Sequence, residues 1–253
     1  MTNDEYVFAV IQKYEIPTGP YSPAVQAANA LTPFLRQWAT PYLENIFPSG
    51  SFAKGTGVRG STDIDIFISL SSSLTANLGE IYNGLFDFAL KQGWNPRQQN
   101  VSIRIQYLSQ NIDLVPGRVQ AGYQNYHSLY KSKVNSWTQT NVTLQTQFVT
   151  NSGRTNEIRA IKIWRNLRNL DFPSFFLEMM VIQALHGRST STLADNVWEA
   201  LKSISAYLTT VRIVDPSNTN NIISDDLTVA EKQFIAAQAI QTLRTPQWNQ
   251  VIW

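Results

Sequence analysis

The stretch Pro48–Leu70, PSGSFAKGTGVRGSTDIDIFISL, joins a glycine-rich loop to a segment in which polar and apolar residues alternate. In TDIDIFISL, the carboxylates of Asp63 and Asp65 alternate with Ile64 and Ile66. A period of two predicts a β-strand, on which residues two apart point to the same face. The stretch therefore predicts a strand that presents two carboxylates on one face, directly after the loop.

The predicted carboxylate pair indicates a cation site. Two nearby carboxylates repel each other, which raises a pKa or requires a cation, and Mg²⁺ prefers carboxylate and phosphate oxygens. A third carboxylate, Asp113, alternates with Ile112 and Leu114 on another predicted strand. Three aspartates on neighbouring strands can hold two divalent ions about 4 Å apart and so activate a hydroxyl. The alternative is a solvated strand face whose three carboxylates bind nothing.

The loop before this strand has features of a phosphate-binding turn. Gly50 lets backbone N–H groups approach a phosphate closely, and the hydroxyl of Ser51 adds a donor. Lys54 and Arg59 can add positive charge. The later glycines of the loop fit turn geometry as well as they fit ligand contact. The loop is not a Walker loop, because it lacks the GK[ST] ending.

The composition limits the possible chemistry. The 253 residues are 43% hydrophobic, carry a formal charge of +2 and include no cysteine. This predicts a globular chain, excludes disulfides, thiolate catalysis and cysteine zinc sites, and confines nucleotide contacts to a local basic patch. The N-terminus is polar and acidic, and no apolar run reaches about 18 residues, so we expect neither a signal peptide nor a membrane partner. A soluble, cytoplasmic protein is expected.

The secondary-structure signals divide the chain into two parts. Two N-terminal helices and a mixed series of strands and helices are predicted up to residue 152, and four helices follow. The predicted fold class is therefore α+β. Residues 117–152 are the least readable segment, and VDPSNTNNIISDD is predicted to be a polar connector.

The motifs, taken together, resemble those of a known family. Gly-Ser, eleven further residues and Asp-x-Asp form a pattern similar to the signature of the DNA polymerase β-like nucleotidyltransferase superfamily. The similar branch contains archaeal-type CCA-adding enzymes, 2′-5′-oligoadenylate synthases and bacterial cGAS/DncV-like nucleotidyltransferases (CD-NTases). Four further segments support this resemblance in the same order along the chain: NIDLVPG, EIRAIKIWRN, PSFFLEMMVIQAL and DPSNTNNIISDDLT.

The resemblance implies a fold, two domains with different roles and a set of metal ligands. It implies a polymerase β-like mixed sheet with flanking helices, followed by a helical domain. Residues 1–152 would form the catalytic nucleotidyltransferase domain with the N-terminal helices, and residues 153–253 a helical domain that completes the NTP-binding cleft. The metal ligands and catalytic residues would be Asp63, Asp65 and Asp113, which hold two Mg²⁺ or Mn²⁺ ions, with Asp113 closest to the incoming 3′-hydroxyl.

The resemblance also implies nucleotide-binding residues. Gly50 and Ser51 would contact the triphosphate, and Lys162 would reach its outer phosphates. Ser174 would add a hydroxyl at a helix N-terminus, and Phe175 would stack on the base. Each has a structural alternative: turn geometry for the glycine, a solvated helix position for the lysine, a helix cap for Ser174 and core packing for Phe175.

Three functions are compatible with these motifs. The first is a bacterial synthase of cyclic or linear oligonucleotide second messengers from NTPs, with ATP a substrate, of the kind used in antiphage signalling. The second is a tRNA 3′-end nucleotidyltransferase with an RNA acceptor, although archaeal-type CCA enzymes carry further C-terminal domains and this chain ends at Trp253. The third is a non-catalytic nucleotide-binding module. Base preference, linkage, cyclisation, primer need and oligomeric state stay open.

Overall fold

The computed structural model describes residues 1–60, 63–245 and 247–253, without the side chain of Gln124. Thr62, at the start of the predicted carboxylate strand, lies outside these described residues. Among the described residues, no helix has the length and apolar character that a membrane span requires.

The chain divides into two compact units. The sheet unit comprises Pro17–Lys54 and Thr62–Thr146, and the helical unit comprises Met1–Ile16, Gly55–Ser61 and Gln147–Trp253. The α-helices in chain order are α1 (Asn3–Lys13), α2 (Pro23–Ala39), α3 (Gly50–Ala53), α4 (Leu78–Lys91), α5 (Val142–Thr150), α6 (Thr155–Leu167), α7 (Ser174–Ala184), α8 (Leu193–Tyr207) and α9 (Val229–Thr242).

The sheet unit is organised around one mixed, seven-stranded sheet. The strand order is β1-β2-β5-β4-β3, and β6 pairs with β5 and with β7. Its strands are β1 (Leu43–Pro48), β2 (Ile64–Leu70), β3 (Arg97–Gln98), β4 (Ile103–Tyr107), β5 (Gln110–Gln120), β6 (Tyr123–Lys131) and β7 (Ser136–Thr140).

Strand β5 aligns charged residues from three strands. It runs parallel to β2, which places Asp65 opposite Asp113, and antiparallel to β4, which places Arg104 opposite Asp113. Residues paired in register point to the same face of a sheet, and neighbouring strands are about 4.8 Å apart. One arginine and two aspartates from three different strands therefore lie together on one face.

The other face of β2 belongs to the core of the sheet unit. Ile64, Ile66 and Ile68 are almost fully buried and share a hydrophobic cluster with Leu31 of α2 and Leu85 of α4. Burying one such side chain contributes about 1.5–3 kcal/mol. These apolar side chains thus lie in the core, and on the opposite face Asp65 is available to the site, whereas Phe67 and Ser69 further along β2 are buried.

The helical unit has its own core. Trp164 of α6 and Phe176 of α7 are fully buried there together with Val7 and Ile11 of α1. A two-stranded antiparallel sheet, β8 (Val214–Asp215) and β9 (Asn218–Ile222), completes the unit. The helical unit thus includes α1, whose apolar side chains pack with the C-terminal helices. The functional division into 1–152 and 153–253 stays a prediction.

The element predictions are confirmed for the strongly periodic segments, whereas the polar segments contain strands that the sequence did not predict. β2, the β4–β5 hairpin and the four C-terminal helices form where their patterns place them, whereas β1 begins at Leu43, before the segment IFPSGS that the pattern assigns to this strand. The unreadable segment 117–152 contains β6 and β7, and the expected connector contains the β8–β9 hairpin. The polar residues of β6, β7 and β9 interrupt the apolar alternation by which a strand is predicted from sequence.

Candidate active site

The glycine of the Gly-Ser pair lies directly against the Asp65 carboxylate. After β1 ends at Pro48, the Ser49 amide donates to the Asp65 carbonyl oxygen at 2.8 Å. α3 then begins at Gly50 with a φ of +59°, and a Cβ atom there would lie 1.9 Å from Asp65 Oδ2. The left-handed backbone and the close approach both require glycine. Ser51, the next residue of α3, is half-buried.

Asp65 and Asp113 form a close carboxylate pair on β2 and β5. Burial raises the pKa of Asp65 to about 7, and the Asp113 charge adds to the increase, whereas Lys54 and Arg104 act in the opposite direction. A carboxyl group removed from water and next to a second carboxylate retains its proton near neutral pH unless a cation compensates. Lys54, which is only 7% exposed, thus supplies positive charge that acts on Asp65.

Arg104 joins Asp63 to Asp113. Its Nε donates to Asp113 Oδ1 and its Nη2 donates to Asp113 Oδ2, both at 2.9 Å. The same Nη2 also donates to Asp63 Oδ2. The Asp113 side chain is 9% exposed and that of Asp63 is 45% exposed. These hydrogen bonds to Asp113 raise the pKa of Arg104 above its ordinary value, so the guanidinium carries a fixed charge.

Two residues of this cluster are absent from the sequence-based prediction. Arg104 is the main one, and Gln99 is the other, whose Nε2 donates to Asp113 Oδ1 at 3.1 Å. The alternation of Arg104 with the buried Ile103 and Ile105 indicates that its side chain lies on the non-core face. Which residue of β5 it faces depends on the register of the β4–β5 hairpin, in which Tyr107 pairs with Gln110.

The carboxylates fit a divalent cation by their donor chemistry. Among the described residues, no group of three or more His, Cys, Asp or Glu side chains is arranged as a metal site. The positive charge between Asp63 and Asp113 is instead that of Arg104. Burial and the neighbouring carboxylates nevertheless keep the pKa of Asp65 raised, and the charges of Arg104 and Lys54 offset this increase only in part. Clustered carboxylate oxygens of this kind are the ligands that Mg²⁺ and Mn²⁺ prefer.

Lys162, predicted to contact phosphates, lies in a buried ion pair of the helical unit. Its Nζ donates to Glu178 Oε1 at 2.7 Å and to Thr56 Oγ1 at 3.0 Å, and the Thr56 hydroxyl donates to the same carboxylate oxygen at 2.6 Å. The Lys162 side chain is 1% exposed and that of Glu178 is fully buried. Neither Glu178 nor Thr56 was indicated by the sequence.

The other two predicted nucleotide contacts lie on α7 of the helical unit. Ser174 is its first residue, and its Oγ accepts a hydrogen bond from Arg165 Nη1 at 3.0 Å. Phe175 is partly buried against the helical core, and the adjacent Phe176 is completely buried. The three aspartates and the Gly50–Ser51 pair thus lie together in the sheet unit, whereas Lys162, Ser174 and Phe175 belong to the helical unit.

Comparison with solved structures defines the fold. The CD-NTase CdnG of Bradyrhizobium diazoefficiens, in complex with GTP, has a TM-score of 0.79 at 12% identity, over 95% of this chain and 89% of that one. The CdnC structure of E. coli MS115-1 with ATP has a TM-score of 0.67 at 22% identity, over 90% of this chain and 89% of that one. The chain therefore has the polymerase β-like nucleotidyltransferase fold in its CD-NTase form, which confirms the predicted α+β fold.

Comparison with curated proteins points to the same branch. No protein-family model matches the chain. The chain is similar to the cyclic AMP-AMP-AMP synthase of Escherichia coli strain MS 115-1, with 23% identity over 210 residues. The similar region covers 75% of this chain and 64% of that synthase, which is less than two thirds of its length. The predicted resemblance to the CD-NTases is confirmed.

Proposed function

We propose that this protein is a metal-dependent nucleotidyltransferase that makes a cyclic or linear oligonucleotide second messenger. It transfers a nucleoside monophosphate from an NTP to a hydroxyl group and releases pyrophosphate. The observation that carries the proposal is the register of β2 and β5, which places Asp65 beside Asp113 next to the Gly50 turn. Similarity to a cyclic AMP-AMP-AMP synthase and to nucleotide-bound CD-NTase structures supports it.

The sheet-unit residues have distinct roles in this reaction. Asp63, Asp65 and Asp113 would hold two Mg²⁺ or Mn²⁺ ions, which when bound favour deprotonation of the attacking hydroxyl and neutralise the leaving pyrophosphate. Asp113 would orient the acceptor hydroxyl. The backbone N–H of Gly50 and the hydroxyl of Ser51 would bind the phosphates, because the glycine leaves this backbone accessible at close range.

The proposed contacts of the helical unit complete nucleotide recognition. Ser174 would donate to a phosphate oxygen and Phe175 would stack on the base. Lys162 would contact the outer phosphates, which requires its ammonium group to exchange Glu178 for phosphate oxygens. The NTP substrates include ATP under this proposal.

A product assay with single-residue variants tests the proposal. The full chain is incubated with each labelled NTP and Mg²⁺ or Mn²⁺, with and without tRNA, and products are resolved after phosphatase treatment. We expect phosphatase-resistant small products without tRNA, and at least about 10³-fold less product for Asp65→Asn. Asp87→Asn is the matched control, because Asp87 is an exposed residue of α4 in the same unit.

The assay also distinguishes the other functions. Label that appears only in tRNA would identify a tRNA 3′-end nucleotidyltransferase. Absence of product under every condition, or near-native turnover by Asp65→Asn, would contradict the proposed catalytic site.

A further inference from the structure

Arg104 occupies the position of a cation within the aspartate cluster. From its position on β4, Arg104 makes two hydrogen bonds to the Asp113 carboxylate and one to the Asp63 carboxylate. Its side chain is 30% exposed, whereas that of Asp113 is 9% exposed. A bidentate arginine–carboxylate pair with little access to water is among the stronger and more directional polar contacts in proteins.

The geometry of this contact is set by the sheet and by a second donor. Arg104 is paired in register with Asp113, so the guanidinium reaches across a single strand spacing. Gln99 donates to the same Oδ1 of Asp113 that accepts from Arg104 Nε. The Asp113 carboxylate therefore has both oxygens engaged by donors that fix its rotamer.

Asp63 is held much less firmly. Its hydrogen bond comes from Arg104 Nη2, which also donates to Asp113, and the Asp63 side chain is 45% exposed. A divalent ion that takes Asp63 as a ligand meets a carboxylate whose Oδ2 already accepts a hydrogen bond from this guanidinium. The contact between Arg104 and Asp63 is thus the one that can be released while Asp113 stays in place.

We propose that Arg104 is the internal counter-ion of the aspartate cluster and a positioning residue for Asp113. It neutralises and orders the carboxylates when no divalent ion is bound, and it releases Asp63 when divalent ions bind. This inference rests on the proposed function, because it takes the three aspartates as the cation site. It implies that the wild-type protein binds divalent ions more weakly than its carboxylates alone would, since a fixed positive charge opposes them.

Mn²⁺ affinity of charge variants tests this competition without reference to turnover. Free Mn²⁺ is titrated by electron paramagnetic resonance in the absence of nucleotide, using the full chain. Arg104→Met removes the charge at similar length, and we expect it to bind Mn²⁺ about tenfold more tightly than wild type. Arg104→Lys keeps the charge and should remain within about threefold of wild type. Arg36→Met, at an exposed position of α2, is the matched control and should leave the affinity unchanged.

The outcomes separate this proposal from the proposed function. If wild type binds Mn²⁺ and Arg104→Met binds it no more tightly, the counter-ion proposal is wrong and the nucleotidyltransferase site stands. If neither wild type nor Arg104→Met binds Mn²⁺, both proposals fail. If Arg104→Met does not fold, Arg104→Gln replaces it with the same expected result. Tighter Mn²⁺ binding together with lower turnover supports the proposal, because a purely structural arginine would not raise metal affinity when removed.

Discussion

Gly50 and Asp65 are packed so closely that a Cβ atom on Gly50 would lie 1.9 Å from the Asp65 carboxylate oxygen. The turn that follows β1 and the carboxylate on β2 therefore form one unit of structure. Gly50 therefore has a structural role that is independent of phosphate binding, because the absence of a Cβ atom leaves room for the Asp65 carboxylate.

Replacing Gly50 tests this packing. Gly50→Ala should lower the free energy of unfolding by about 2–4 kcal/mol, the sum of left-handed backbone strain and overpacking, and should displace Asp65. Urea unfolding measures the loss. Gly93→Ala is the control, because Gly93 has a φ of +72° with open space around its Cβ position, so only the backbone cost of about 1 kcal/mol is expected. Equal losses in the two variants would refute the close-packing argument.

The raised pKa of Asp65 predicts how stability depends on pH. Between the ordinary value of 3.8 and about 7, the unfolded chain loses this proton while the folded protein retains it. The free energy of unfolding of the metal-free protein should therefore fall across this range, by about 2–4 kcal/mol from this group, and level off above it.

Denaturant titrations from pH 4 to pH 8 with EDTA measure this effect. Asp65→Asn has no proton to lose at this position and should show a correspondingly flatter profile than wild type. Asp87→Asn, which removes an exposed carboxylate of the same unit, should keep the wild-type slope. A slope unchanged by Asp65→Asn would mean that this carboxyl titrates normally.

The Lys162–Glu178 pair should contribute to the stability of the helical unit. Glu178→Gln removes the carboxylate that faces a buried ammonium group and should cost about 3–5 kcal/mol. The double variant Lys162→Met with Glu178→Leu removes both charges, so it should recover at least half of that loss. Lys202→Met, at an exposed ion pair on α8, should change stability by less than about 0.5 kcal/mol.

These stability measurements also separate a phosphate contact of Lys162 from a purely structural role in activity assays. If Lys162→Met loses turnover and stability together, the activity loss alone does not assign a phosphate contact. A variant that keeps its unfolding midpoint yet raises the KM for ATP would assign it. A Glu178→Gln variant as stable as wild type would show that the buried pair contributes little.

Local sequence patterns were sufficient to predict strand β2 and to select the three candidate aspartates. The alternation of Asp63 and Asp65 with Ile64 and Ile66 indicates the start of β2 and separates its two faces, because the apolar side chains must be buried. Asp63, Asp65 and Asp113 could be selected as candidates because carboxylates on otherwise apolar strands are costly without a cation. The segments with the clearest period form the predicted elements, whereas the strands β6 to β9 could not be predicted from the sequence.

Only the tertiary structure decided which charges meet. The cross-strand register brings Arg104 onto Asp113, and helix packing brings Lys162 onto Glu178. The first pair depends on the register of the β4–β5 hairpin, and the second depends on the packing of α6 against α7. A sequence shows which side chains need a partner, and the packing of the folded chain determines which partner each one receives.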